Sequence, residues 1–426
     1  MRVLLISANT ETINMPVLPL GLACVDEATR SAGHDVKLLD LMGQPDTRLV
    51  LQDVIDGFSP EVIGISVRNI DDQCMENPGF LLDLVKDFIS DCRKLTDAPI
   101  VLGGAGYSIF PESALAYLGA DMGIQGEGEI AFITLLERLS RKADLSGIPG
   151  LYLSDQGIQG NAQFAKDLNK CPLPLPGARQ WTSFVNRNQE IWLPFQTRRG
   201  CPLNCSYCST ATIEGNIVRK YSPERVIDAL SRYIEAGFDR FFFVDNTFNL
   251  PLSYAKEFCD QLVKAKLNIS WRCILYPWRV GEELVEKMAE AGCKEVSLGF
   301  ESGSEKILRA MNKKFQLEEI RQISERLKRY GIRRMGFLLL GGPGENRKTV
   351  EESLAFADSL DLEAMKITMG IRIYPYTNLT RTAIKEGVIE PDDDLLFPKF
   401  YMAQGLDEWL RSTVSIWADG RPHWLL

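Results

Sequence analysis

The chain alternates, twice over, between short β-branched runs and longer stretches with helical periodicity, and no other feature limits its fold so strongly. Over residues 1 to 140 the runs "RVLLIS", "DVKLLDL", "EVIGISV", "PIVLGG" and "DMGIQG" are each followed by a helical pattern such as "PLGLACVDEATRSAG" or "GFLLDLVKDFISDCRKL". Five successive βα units predict a parallel sheet with helices on both faces. In such sheets ligands bind beyond the carboxyl ends of the strands. Those ends carry "SANTET" (7 to 12), "SVRN" (66 to 69), "GGAGYS" (103 to 108) and "QGEGE" (125 to 129), a surface rich in Gly, Ser, Asn and Gln.

"GIPGLYLSDQGIQGN" (147 to 161) reads as a strand, a turn and a second strand, and "CPLPLPGARQ" (171 to 180) as a proline-rich connector. From residue 192 the alternation resumes, with strands predicted near 193–199, 240–246, 269–276, 294–301, 334–340 and 364–373. Six such repeats fit a partial (β/α)6 barrel better than a second open sheet, because short crossovers of one hand curl the sheet. The layout expected is an α/β chain. A flavodoxin-like, Rossmann-type domain spans 1–145, a linker with a short hairpin 146–190, the barrel 191–375, and an acidic then aromatic C-terminal extension 376–426.

At 426 residues, 45% of them hydrophobic, the chain is long enough for both domains to bury their own cores. A net charge of −9 supplies no global positive field to recruit nucleic acid. No apolar run approaches the ~18 residues of a membrane span. The start "MRVLLISANTET" lacks a signal peptide's hydrophobic length, so a cytoplasmic protein is expected. Seven of the ten cysteines are scattered, unlike a secreted disulfide framework. Of these, Cys24, Cys92, Cys259 and Cys293 fall in apolar runs and read as small buried hydrophobes.

The other three stand together. Cys201, Cys205 and Cys208 have the spacing C-x3-C-x2-C in "TRRGCPLNCSYCSTATIEG", a loop directly after the first strand of the second domain. A structural zinc needs four ligands, and the chain's two histidines, His34 and His423, are remote in sequence. A [4Fe–4S] cube takes one thiolate per iron, so three thiolates leave one iron open to a substrate or second cofactor.

This spacing, with Tyr207 just before the last cysteine at the top of strand one of a βα domain, resembles the signature of radical S-adenosylmethionine (SAM) enzymes. The resemblance implies that SAM chelates the open iron and is cleaved reductively to a 5′-deoxyadenosyl radical. It also implies an external electron donor such as flavodoxin or ferredoxin. Other strand ends are similar to that family's SAM contacts. They are Asp245 and Asn246 in "FVDNTFN", Glu301 and Ser302 in "SLGFESGSEKILRAMNKK", Gly341 and Gly342 in "GFLLLGGPGEN", and Arg372 in "IRIYPYTNL". Each of these stretches also has a purely structural reading.

A flavodoxin-like domain ahead of such a barrel resembles the cobalamin-dependent branch of the superfamily. The resemblance implies a cobalamin site built from Asn9, Thr10, Leu20, Ser66, Arg68, Asn69, Gly103, Gly104, Gly106, Tyr107, Gly126, Glu127 and Gly128. The D-x-H-x-x-G pattern that would ligate cobalt through histidine is absent, since His34 lies in "SAGHDV" on the amino side of strand two. Arg68 is then the candidate for the lower face of cobalt, able to block or polarise it by charge and shape. A flavin or nicotinamide site is the lesser alternative for this domain, because "GGAGYS" does not match G-x-G-x-x-G.

The function implied is methylation of an unactivated carbon or phosphorus centre in a small molecule, by way of methylcobalamin. Radical rearrangement, cyclisation or oxidation with the same cofactors is one alternative, and a cobalamin or redox sensor is another. A third is RNA methylthiolation, which needs three further cluster cysteines; Cys24, Cys74 and Cys92 are the candidates. The aromatic stretches "LYPW" (275 to 278), "RIYPY" (372 to 376) and "RPHWLL" either line the barrel mouth or pack beneath it.

Overall fold

The computed structural model describes residues 1–10, 18–44, 46–176 and 191–426. Residues 11 and 12 of the first strand end, and 177 to 190 of the connector and linker, lie outside the described residues. The chain divides into two compact units, the first made of Met1–Asp72, Pro78–Ile191 and Thr212–Gly215 and the second of Gln73–Asn77, Trp192–Ala211 and Asn216–Leu426.

The first unit is built on strands β1 (Arg2–Ser7), β2 (Asp35–Asp40), β3 (Val62–Ser66), β4 (Ile100–Gly103), β5 (Met122–Ile124), β6 (Leu151–Leu153) and β7 (Gly157–Ile158). They lie in the order β2-β1-β3-β4-β5-β6-β7. The first five are parallel and have the flavodoxin-like order, whose switch point lies between β1 and β3. Their near-continuous apolar runs reflect burial on both faces. Val3, Leu5, Val62 and Val101 from the sheet pack with Leu135 and Leu136 of the helix Gly128–Ser140.

The expected hairpin is present, but it is not a linker. β6 pairs antiparallel with β5, and β7 with β6, so it completes the first sheet.

The second unit holds β8 (Leu193–Phe195), β11 (Arg240–Phe243), β12 (Ser270–Leu275), β13 (Cys293–Glu301), β14 (Arg333–Leu340) and β15 (Ala364–Met369), each parallel to the next. This is the six-stranded partial barrel the alternation predicts. The strand expected at 193–199 is broken: Arg198–Arg199 (β9) leaves the sheet and pairs antiparallel with Arg219–Lys220 (β10). The C-terminal extension belongs to this unit as well. Trp424–Leu425 (β18) adds a seventh parallel strand beside β15, and Phe400–Tyr401 (β17) pairs with Ile371–Arg372 (β16). An aromatic cluster of Phe195, Phe241, Phe243, Phe248, Phe258 and Trp271 fills the layer between β8, β11, β12 and the helix Leu252–Ala265.

Candidate functional site

The three clustered cysteines sit in the loop that follows β9, and none is in a disulfide. Cys201 is buried, Cys205 half-buried and Cys208 exposed, so the loop rises out of the barrel as it runs. Two segments clamp it. Ser206 donates its amide to Met311 O at 3.1 Å, and Asn312 Nδ2 donates to Asn204 O. From the other side Leu379, in the helix Asn378–Lys385, donates to Ser206 O at 2.8 Å.

Among the described residues no group of three His, Cys, Asp or Glu is gathered tightly enough to hold a single metal ion. A cube does not need one, because each thiolate binds a different iron. A loop held from both sides, with three thiols outside any disulfide and an ammonium facing it, fits a group that is anionic once the thiolates are counted.

That ammonium belongs to Lys313. It donates to the Tyr207 hydroxyl at 3.0 Å and to Glu301 Oε1 at 3.3 Å. Burial pushes the Cys205 thiol up, and Lys313, which also hydrogen-bonds it, pulls it back. Burial works against the Lys313 ammonium too, yet Glu301, Tyr207 and Cys205 together hold its pKa well above the ordinary value. Sequence reasoning passed over Lys313, although it stands in the quoted "AMNKK". A lysine after a helical run ordinarily reads as solvated.

Glu301 reaches this place through a local irregularity. The β13–β14 register shifts between Leu298 and Glu301, and Glu301 has φ +64°, a left-handed conformation that is costly for a side chain with a Cβ. Such outliers persist where the surrounding structure enforces them.

Several residues expected to contact SAM are committed elsewhere. Asp245 is fully buried and accepts from Thr197 N at 2.7 Å, Thr197 Oγ1 at 2.6 Å, Arg198 N at 3.1 Å and Arg198 Nε at 3.1 Å. Both carboxylate oxygens are thus spent on holding the turn that leads into Cys201. Ser302 is fully buried, paired with Ser353 Oγ at 2.9 Å and accepting from Ser304 N. Arg372 donates to the carbonyls of Ile373, Leu395 and Leu396, pinning an inner loop.

The amides of Gly341 and Gly342 point at Glu345 Oε2, so an internal carboxylate occupies the surface expected for adenine. Gly341 has φ +95°, which spares it the penalty a side chain would carry there. Asn246 is half-buried beside Asp245. Of the aromatic stretches, Tyr276 and Trp424 are buried in this unit, and the Tyr276 hydroxyl accepts from Lys314 N at 2.8 Å.

In the first unit a small depression opens at the β1/β3 switch point, lined by Ala8, Asn9, Thr10, Val67, Arg68, Asn69, Leu81, Leu84 and Val85. Arg68 makes no hydrogen bond or ion pair among the described residues, and desolvation holds its pKa below the ordinary value. Ser66 ends β3 and Gly103 ends β4. Leu20 opens the helix Leu20–Ser31 and is half-buried.

Four glycines of this edge serve the packing of its own loops. A Cβ on Gly104, which has φ +101°, would lie 2.6 Å from Val67 O, and one on Gly106 would lie 2.9 Å from Arg68 O. Gly126 donates to Ser108 Oγ at 2.9 Å, and a Cβ on Gly128 would press on Val25. Glu127 accepts from Ala165 N at 2.7 Å.

Tyr107 does not belong to a ligand surface. It is fully buried, with its hydroxyl in space left by Gly123, where a Cβ would collide with it. His34 faces the N-terminal amine at 3.3 Å, at the amino edge, as its place in the sequence implies.

The B12 binding domain family model matches residues 6–136, and the Radical SAM superfamily model matches residues 196–357. This is a cobalamin-dependent radical SAM enzyme. Its cofactors are accordingly a [4Fe–4S] cluster, SAM and cobalamin. The chain is 28% identical over 406 residues to an uncharacterized methyltransferase, PH0819, of Pyrococcus horikoshii, covering 91% of this chain and 84% of that one. It is 23% identical over 444 residues to a tryptophan 2-C-methyltransferase of Streptomyces laurentii, covering 89% and 74%.

In fold the chain is similar to the radical SAM methyltransferase TsrM from Kitasatospora setae, solved with tryptophan substrate and a SAM analogue bound. The TM-score is 0.87 at 22% identity, over 98% of this chain and 88% of that one.

The methylthiolation reading loses two of its three extra ligands, which lie in the B12-binding domain. Cys24 and Cys92 are buried, and burial pushes the Cys92 thiol up to about 12. Among the described residues no helix is long and apolar enough to cross a membrane.

Proposed function

We propose that the chain is a methyltransferase that moves a methyl group from SAM, through cobalamin, to an unactivated carbon or phosphorus centre of a small molecule in the cytoplasm. The observation that carries this reading is the presence, in one chain, of a B12-binding domain and a radical SAM domain whose C-x3-C-x2-C loop is clamped and free of disulfides. When bound, the cofactors supply the hard chemistry: cobalamin carries a methyl group and the reduced cluster cleaves SAM to a carbon radical.

The chain's residues bind and position. Cys201, Cys205 and Cys208 hold the cluster, while Asp245 and Arg198 stiffen the approach to it. Glu301, Tyr207 and Asn246 present polar groups toward SAM. In the first unit Asn9, Thr10, Arg68 and Asn69 border the depression offered to cobalamin. Arg68, which cannot give up its proton to coordinate, would stand against the bound cobalamin without supplying a nitrogen ligand to its cobalt. A low-potential one-electron donor, flavodoxin or ferredoxin in type, supplies reducing equivalents.

The test uses trideuteromethyl SAM with reconstituted enzyme and candidate substrates. The expected product gains all three deuteriums, with one S-adenosylhomocysteine and one 5′-deoxyadenosine released per turnover. Formation of 5′-deoxyadenosine from a true substrate without S-adenosylhomocysteine would replace methylation with rearrangement, cyclisation or oxidation.

A further inference from the structure

Lys313 lies in the segment 311–313 that grips the cysteine loop, and only 4% of its side chain is exposed. An ammonium has three hydrogens to donate, and three acceptors surround this one: the Tyr207 hydroxyl, the Glu301 carboxylate and the Cys205 sulfur. The rings of Tyr207, Tyr276 and Phe315 close around it, with centroids 5.4, 5.7 and 6.0 Å from Nζ. Burying a cation is unfavourable unless its partners compensate, and a methionine of similar length would fill the space without that cost. The charge itself is therefore the feature to explain, and it stands beside a thiol assigned to the cluster.

We propose that Lys313 is the fixed counter-charge of the cysteine loop, a positioning residue that favours the reduced form of the cluster and holds Tyr207 and Glu301 in register with it. The inference rests on the cluster assignment above. Reduction adds one electron from an external low-potential donor, and with it one negative charge, to a group already made anionic by its thiolates. A positive charge fixed a few ångströms away and shielded from water stabilises that added charge and raises the potential. Glu301 partly offsets the effect. Removing Lys313 and removing Glu301 should consequently shift the potential in opposite directions.

The experiment is a dithionite titration of the reconstituted full-length chain, followed by electron paramagnetic resonance, with iron counted in parallel. Lys313→Met should retain about four irons per chain. At the wild-type midpoint its ratio of reduced to oxidised cluster should fall about tenfold, equal to 59 mV for a one-electron couple. Lys313→Arg should restore the wild-type midpoint within about twofold in that ratio, and Glu301→Gln should move it the other way. A loaded Lys313→Met chain with an unshifted midpoint overturns the proposal, as does a Glu301→Gln shift of the same sign as that of Lys313→Met. If Lys313→Met folds but holds no iron while Lys313→Arg is fully loaded, the positioning role is supported and the sign of the Glu301→Gln shift decides the role of the charge. A wild-type chain that takes up no iron overturns both the cluster assignment and this inference, a result distinct from an unshifted midpoint.

Discussion

The carboxyl ends of the strands are equally polar in the two units, but that polarity is spent in different ways. In the radical SAM barrel, Asp245, Ser302 and Arg372 turn inward and bond to other buried side chains or nearby backbone. At the open edge of the B12-binding sheet, Asn9, Thr10, Arg68 and Asn69 border a depression, and Arg68 pairs with nothing among the described residues. A barrel brings successive strand ends together, so polar groups there are buried and must find protein partners. An open doubly wound sheet leaves a crevice where its order reverses, and polar groups can wait there for a ligand. For Asp245, Ser302 and Arg372 polarity at a strand end thus means scaffold, whereas Asn9, Thr10, Arg68 and Asn69 border open space.

The sharpest way to break that contrast is Asp245→Asn. Its amide would leave the buried Arg198 guanidinium without a counter-charge, although Arg198 would keep its bond to Phe248 O at 2.6 Å. Loss of one partner from a buried pair costs about 3–5 kcal/mol. The barrel's urea transition in the apo chain should fall accordingly, whether or not SAM is present. A stable Asp245→Asn chain that has lost SAM binding alone would restore Asp245 to the ligand surface.

Glu345 gives the next largest effect and carries a pH signature. Its Oε1 is buried without a partner, and burial pushes its carboxyl up to about 7, despite the Gly341 and Gly342 amides that favour the anion. With the folded value raised, the stability this group contributes is complete below the unfolded value near 4.5 and is lost as pH rises through about 7. Glu345→Gln keeps an acceptor for the amides and removes the charge. Its stability relative to wild type should therefore improve from pH 4.5 to pH 8, by about 3 kcal/mol at most. A gap that stays constant across that range would mean that the carboxylate is satisfied by water or a ligand.

Ser302→Ala probes the same inward use of polarity at a smaller scale. It removes the acceptor of Ser304 N and the partner of Ser353 Oγ, both buried, and about 1–3 kcal/mol should be lost, with SAM affinity changing less than about twofold.

Much of this was legible in the sequence. The period-2 and period-3.6 alternation located the parallel strands of both sheets, and the cysteine spacing located the clamped loop. What escaped depends on partners distant along the chain. "LYL" and "GI" look like a free hairpin until β5 is known to be an available edge, and "WL" at 424–425 is too short to read as a strand without Met365 opposite it. Tyr107 stands among glycines in the sequence, but the glycine that matters to it is Gly123 of β5, which makes room for its ring. Lys313 escaped for the converse reason. Nothing local says that Tyr207 and Tyr276 will close over it.

The smallest expected effect on stability tests the other side of the contrast. If Arg68 waits for a ligand, it contributes little to the fold, and Arg68→Ala should change the stability of the apo chain by less than about 0.5 kcal/mol. Its effect should appear only once cobalamin is bound. Since His34 is occupied at the amino edge, cob(II)alamin in the wild-type chain should give an electron paramagnetic resonance spectrum without strong nitrogen splitting, and His34→Ala should leave it unchanged. Arg68→Ala should alter that spectrum, because the lower face then opens to water. Arg68→Lys should fall between the two, keeping the charge but losing the planar group that covers the face. A nitrogen splitting that disappears in His34→Ala, or an Arg68→Ala spectrum identical to wild type, would mean that the polar edge of the open sheet is as inward-looking as that of the barrel.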